Sequence, residues 1–232
     1  LGSANYMLGH YASRLLDDQA REVLRNDVSL IRGLVEGSLS LLRNEAVQLN
    51  HSFDLVLPEE LVRDGTDENP QLRSARGEVL NGKFDLVDKF TERTGAVATL
   101  FVRKGDDFLR VTTSLKKESG ERAVGTNLAR EHAAYAALSA GKPYVGRAVL
   151  FGKAYYTSYS PIKNAAGTVI GASFIGLDIS RELETLKKQI KERKVGSSGY
   201  YFVLDANPGK DFGTLLVHPA KEGSNILAAK DA

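Results

Sequence analysis

The chain has 232 residues, with 31 Lys+Arg against 29 Asp+Glu, no cysteine and no tryptophan. A net charge of +2 without a dense basic run leaves no phosphate-tracking stripe, which excludes nucleic acid as the natural partner. The lack of cysteine excludes disulfides, thiolate nucleophiles and cysteine-based metal sites, and no apolar run approaches the roughly 18 residues of a membrane span.

Residues 5–50 contain no proline and repeat apolar residues at helical spacing, among them Leu8, Tyr11, Leu15, Val23, Val28, Leu34, Leu42 and Val47. A single helix of that length would run on the order of 65 Å. Such a stalk would lie alongside a smaller body and could pair with a second copy; Gly33 and Gly37 mark a place where it could bend. Residues 51–95 read as shorter helices and loops. Pro58 before Glu59 and Glu60 has the chemistry of a helix first turn, and "DGTDENP" at 64–70 reads as a loop. Phe84, Val87 and Phe90 then share one helical face, closed by Gly95.

From Ala96 the apolar period changes to that of strands. "AVATLFVRKGDDFLRVTTSL" is strand, polar turn at 104–107, and strand. A polar loop leads through "GTNL" at 125–128 to a short helix, "EHAAYAALSAG", with Gly141 as its stop. "YVGRAVLFG" is a third strand, and "GKAYYTSYSPIKNAAGTVIGASFIGLDIS" supplies a fourth and a fifth around a turn at 163–167. One antiparallel sheet with helices segregated from it is an α+β layout. A charged helix at 181–194 follows, and then the pattern restarts. "GYYFVLDANPGKDFGTLLVHP" is again strand, turn, strand, and it leads to "GSN" at 223–225 against "GTN" at 125–127. "FV" at 101–102 recurs at 202–203. Two landmarks at nearly constant spacing argue for a tandem repeat of about 100 residues, whose second copy stops after two strands.

These stretches, with "Y-x-G-x-x-x-x-x-G-x-x-Y-x-x-x-Y-x-P-I" from Tyr144 to Ile162 and "G-x-V-I-G" at 167–171, resemble the Cache domains. Those are extracytoplasmic PAS-like sensors of bacterial chemoreceptors and sensor kinases, and the tandem type fits best. The resemblance implies the following order. Residues 1–50 are a stalk and dimerisation helix, and 51–95 lead into the sheet. Residues 96–180 form a membrane-distal PAS-like five-stranded module, 181–195 a connecting helix, and 196–232 the incomplete beginning of a membrane-proximal module. It also implies a periplasmic location, transmembrane helices flanking this chain, a homodimer through the first helix, and a small-molecule ligand held on the sheet of the distal module.

The matched positions carry the chemistry for an organic anion. Arg110 and Thr112 alternate with Leu109 and Val111, so they are expected on one face, where a guanidinium suits a carboxylate; pairing with an acid at the sheet edge is the alternative. Lys153, Tyr155, Thr157 and Tyr159 form a polar row on another strand, either a second wall of the site or a solvated face with tyrosines packed on a helix. Tyr135 and Tyr144 are lid or core residues, and Arg103 points toward the site or away from it. Lys116 and Lys117 add positive potential. Asp178 either holds a ligand ammonium, as in amino-acid-binding relatives, or caps the helix that follows. Those relatives also carry an Arg-x-Trp-Tyr pattern that a chain without tryptophan lacks. Acetate, propionate, pyruvate and di- or tricarboxylates are the expected ligand classes. No cofactor or metal is expected, since the four histidines are scattered. Catalysis is not expected either: no nucleophile elbow or phosphate loop is present, and Glu131 beside His132 reads as an ordinary helix start.

Overall fold

A computed structural model describes residues 2–206 and 211–227, with side chains from residue 17 onward. The side chains of the expected stripe positions Leu8, Tyr11 and Leu15 lie outside that description, as do residues 207–210 and 228–232 of the second module. The N-terminal stretch is one helix, α1 (Gly2–Asp54), without a break at Gly33 or Gly37. Two compact units form: Leu39–Arg181, and Leu1–Ser38 with Glu182–Ala232.

In the first unit the C-terminal turns of α1 are followed by a hairpin, β1 (Leu61–Gly65) and β2 (Pro70–Ser74), and then by α2 (Phe84–Thr94). The hairpin corrects the expectation of helices and loops over 51–95. Leu61, Leu72 and Ser74 are buried on alternate positions of its strands, a period-2 pattern hidden in a polar sequence. Pro58 and the two glutamates start no helix, and "DGTDENP" is the hairpin's turn with its flanks. Helix α2 ends at Gly95, whose φ of 76° is the left-handed cap that only glycine adopts freely.

The sheet is built from β3 (Val97–Lys104), β4 (Asp107–Thr113), β5 (Tyr144–Leu150), β6 (Lys153–Lys163) and β7 (Val169–Asp178). Helix α3 (Ala133–Ser139) lies between β4 and β5 in sequence. The strand order is β4-β3-β7-β6-β5, all antiparallel. One face packs Leu100, Val102 and Ile175 against Phe53 of α1 and Val87 and Phe90 of α2. The other packs Phe101, Phe108, Ala172 and Phe174 against Leu128 and against Ala134 and Leu138 of α3.

A polar joint fastens α1 to the first face. The Asn50 amide Nδ2 donates to Ser173 Oγ at 3.0 Å, and its Oδ1 accepts from Ser158 and Ser160 at 3.0 and 3.3 Å. Ser173 donates on to Asp54 Oδ1 at 2.5 Å. Asn50 and Ser173 are buried, so each group must find its partner within the protein.

The second unit contains α4 (Ser180–Glu192) from Glu182 onward and four short strands: β8 (Lys194–Val195), β9 (Gly199–Tyr200), β10 (Val203–Leu204) and β11 (Leu215–Val217). Ile31, Ile190 and Val217 form its core, and Tyr201 donates to Asp27 at 2.7 Å. Glu222 accepts from Lys187 at 2.7 Å and lies 2.5 Å from Lys191; Lys187 first and then Lys191 hold its carboxyl down at about 2.

Replacing Asn50 with Ala leaves three hydroxyls without their amide, and should cost about 2 kcal/mol of unfolding free energy in urea titrations. Glu222 binds protons less readily folded than unfolded. Its contribution to stability is therefore full above the unfolded value near 4.3 and is lost as pH falls toward about 2. Acid titrations of wild type and Glu222→Gln, followed by thermal melts, should differ in that window and converge below it.

Candidate functional site

The sheet register decides which polar side chains meet. Arg110 pairs with Phe101, but Thr112 pairs with Leu100, because the ladder slips by one residue at that point. Neighbouring residues on a strand face opposite ways, so Arg110 lies on the α3 side while Thr112 is set against the α1 side. The expectation that the two share a face is thereby corrected. Period-2 counting fails wherever a bulge inserts a residue.

Arg110 stands on an edge strand yet is buried, with 5% of its surface exposed. The reason is the "GTN" segment. The Arg110 N–H donates to Thr126 O, and its carbonyl accepts from Gly125 N–H, both at 2.9 Å, so residues 125–127 cover the edge. Gly125 sits at φ 80°. The guanidinium carbon lies 4.9 Å from the Phe101 ring centroid, Nη1 donates to Thr126 Oγ1, and Nε has no partner. Among the described residues no carboxylate pairs with this cation. Desolvation pulls its pKa down to about 10, and the nearby Tyr159 phenol is the one group that offsets it.

Tyr159 is almost fully buried on the same face. Its ring centroid is 4.8 Å from that of Phe174 and 6.5 Å from that of Phe101. His132 and Tyr144 complete an aromatic basket, with His132 lying 5.7 Å from Tyr159 and 5.6 Å from Tyr144. His132 Nδ1 accepts the Ala134 N–H and so caps α3, and burial lowers the pKa of this imidazole, with Glu131 opposing. Tyr144 lies back over Gly146, where a Cβ would come within 2.4 Å of the phenol oxygen. Thr126 and His132 were not among the candidates from sequence. His132 does not belong to the usual capping residues, and nothing local marks a helix start as a pocket wall.

The rest of the polar row lies elsewhere. The rung through Arg110 crosses Phe101 and Ala172 and reaches Pro161, whereas Lys153 is eight residues further along β6. Three strand spacings and eight residues of rise separate Arg110 from Lys153 by roughly 30 Å. They share a face but cannot grip one small ligand. Lys153 instead lies 3.8 Å from Asp178, whose other oxygen accepts the Ser180 N–H at the start of α4. Thr157 donates to Gly146 O at 2.8 Å. Tyr155 is buried beside Asp178, which together with burial raises its pKa. Lys116, Lys117, Lys153 and Tyr155 line a separate open cavity of about 590 Å³, below the Phe151–Gly152 turn. Tyr135 donates to Asp106 O at 2.8 Å and packs edge-on against Phe108. Arg103 lies 4.5 Å above the Phe108 ring, with Nη1 3.4 Å from Ser139 Oγ. Both tie α3 to the sheet.

The second unit repeats this edge. Leu215 N–H donates to Ser224 O and its carbonyl accepts from Gly223 N–H, both at 2.8 Å, and the β10–β11 ladder slips by one residue as β3–β4 does. Leu204 and Leu215 thus stand where Phe101 and Arg110 stand. "GSN" and "GTN" are true equivalents, whereas the "FV" pair is displaced by two residues. The copy of the cation is an aliphatic side chain.

A PAS-like sheet with a covered edge, a long leading helix and a repeated edge motif define a Cache-type sensory domain. The chain belongs to the Cache 3/Cache 2 fusion domain family, whose model matches residues 12–232. This is a non-enzymatic sensor fold, and Cache domains are the extracellular sensor domains of membrane receptors. Among the described residues no helix is long and apolar enough to cross a membrane. No curated protein matches significantly. The chain is similar to the ligand-binding domain of the Campylobacter jejuni chemoreceptor Tlp3 in complex with 4-methylisoleucine, at 16% identity over 90% of this chain and 77% of that one, TM-score 0.47. It is also similar to that of the Pseudomonas aeruginosa amino acid chemoreceptor PctC in complex with GABA, at 21% identity over 87% and 74%, TM-score 0.40. With the Vibrio cholerae histidine kinase DctB sensor domain it shares 19% identity over 61% of this chain, TM-score 0.40, and spans 49% of that domain.

A buried cation without a counter-ion is a cost to folding, so Arg110→Met, which keeps the stem and removes the charge, should raise stability by about 1–3 kcal/mol. Urea unfolding of the two proteins in ligand-free buffer checks this.

Proposed function

We propose that the chain is the sensing region of a transmembrane receptor and that it binds a small organic anion at Arg110. The observation that supports this is a buried arginine, Arg110, with an unpartnered Nε and, among the described residues, no carboxylate paired to it. An isolated buried charge is retained against its cost where something else completes it, and a carboxylate matches the guanidinium fork. The Tyr159 phenol and the Thr126 hydroxyl lie at hand to orient the anion, and the aromatic basket favours a short chain with an apolar end, such as acetate, propionate or pyruvate. Leu215 in the second unit offers no such charge, so binding belongs to the first.

Lys153, Tyr155 and Thr157 then have other work. An amino-acid ligand centred on Asp178 is disfavoured, because that carboxylate already serves Lys153 and the α4 terminus. Signalling needs only a ligand that favours one arrangement of the helices over another. Exposed Val23, Leu30, Leu34 and Leu41 on α1 are spaced seven, four and seven residues apart, a heptad seam on which a second copy would pair.

A thermal-shift screen of carboxylates, amino acids and amines on this chain tests the proposal. Short carboxylates should raise the melting temperature of wild type and leave that of Arg110→Met unmoved. Stabilisation that survives Arg110→Met, or that is abolished by Asp178→Asn alone, overturns it.

A further inference from the structure

On the opposite face of the sheet lies a second cavity, of about 530 Å³, between the C-terminal turns of α1 and the β5–β6 edge. Arg43, Gln48, His51 and Asp54 project into it from the helix, and Ser158 and Ser160 from the sheet. Asp54 dominates its chemistry. The carboxylate is partly buried, and Oδ1 is taken by Ser173 at 2.5 Å. Among the described residues no lysine or arginine pairs with it, and the remaining electrostatic influence on it comes from His51 on the same helix. Desolvation accordingly pushes its pKa up, with the Ser173 and Ser160 hydroxyls working against that shift.

From this we propose a second ligand site, for a small primary monoamine whose ammonium docks on Asp54. The partly buried carboxylate, outside any ion pair with lysine or arginine among the described residues, supplies the charge, and an ammonium has three donors, matched here by the carboxylate and the Ser160 hydroxyl. Arg43 sets the other limit. It lies 11 residues up the helix, about 16 Å away along the axis, and its positive charge repels a second ammonium at that rim. A diamine is thereby discriminated against, while a hydroxyl tail is tolerated. Tyr144, at the start of β5, lines this cavity and also completes the Arg110 basket, while the charged groups of the two sites lie on opposite faces, so one domain would read an anion and an amine.

The position also has a consequence for signalling. Asp54 and Asn50 share Ser173, so an ammonium drawn to Asp54 acts directly on the joint between α1 and the sheet.

Isothermal titration calorimetry of the whole chain with ethanolamine, putrescine and acetate tests the proposal, with Asp54→Asn and Arg110→Met in parallel. Ethanolamine should bind wild type and Arg110→Met alike, weaken by about 30-fold in Asp54→Asn, and exceed putrescine. Asp54→Asn keeps an acceptor for Ser173, and an unchanged acetate isotherm would show its fold intact. Failure of acetate with ethanolamine binding retained would count against the Arg110 proposal alone. Ethanolamine binding that is absent in wild type, unchanged in Asp54→Asn, or weaker than that of putrescine overturns the Asp54 site.

Discussion

The Asn50 amide is held against the sheet by three serine hydroxyls, and the two faces of the domain take their roles from that joint. A buried amide is tolerated only when its donors and acceptors are matched, so the helix can sit in one place along β6 and β7. With α1 fixed on that side, the other side is left for α3 and the loop before it. Tyr159 is the residue between Ser158 and Ser160 on the same strand. Its ring is therefore presented to the Arg110 basket by the same piece of backbone that holds the helix on the far side. Ser158 and Ser160 thus connect the strand that carries the phenol directly to Asn50 of α1.

Electrostatics give the two faces opposite characters. One keeps a desolvated guanidinium whose polar neighbours are hydroxyls and aromatic rings; the other keeps a desolvated carboxylate beside serines. Surface ion pairs elsewhere are ordinary, with Asp88 pairing to Arg122 and Asp107 to Arg130, each acid held below its usual range. Against that background, Arg110 and Asp54 stand apart: each is desolvated, and among the described residues neither takes part in an ion pair. The repeated edge in the second unit sharpens the contrast. The same glycine turn and the same ladder slip frame a leucine, so the fold itself does not require a cation there.

The five strands of the sheet, α3 and its glycine stop were legible because turn residues bracket clear apolar periods. The β1–β2 hairpin was not, since its buried positions are few and spaced among arginines, aspartates and glutamines. Within the fourth sheet strand, the common face of Tyr155, Thr157 and Tyr159 follows from strand periodicity, and their partners Asp178, Gly176 and Phe174 alternate in the same way. Thr112 does not follow, because a bulge has no mark in the local sequence. Nor does the separation of Lys153 from Arg110, because strand order and register lie beyond any local pattern. His132 was passed over for a similar reason: its contacts to Tyr144 and Tyr159 come from strands that follow it in the chain.

The α+β class, the long leading helix, the repeat and the Cache resemblance can be read along the chain, since these rest on period, punctuation and motif, all local quantities. The sequence also placed a basic residue on the second sheet strand and a row of hydroxyls on the fourth. The tertiary structure alone decided that the row divides. Tyr159 closes on Arg110, while Lys153 closes on Asp178 at the far end of the same face. The physical reason is that strand pairing sets distances across the sheet through ladders between segments far apart in the chain, such as Val97 with Gly176 and Val102 with Gly171, and charge complementarity acts only at the distances that pairing leaves.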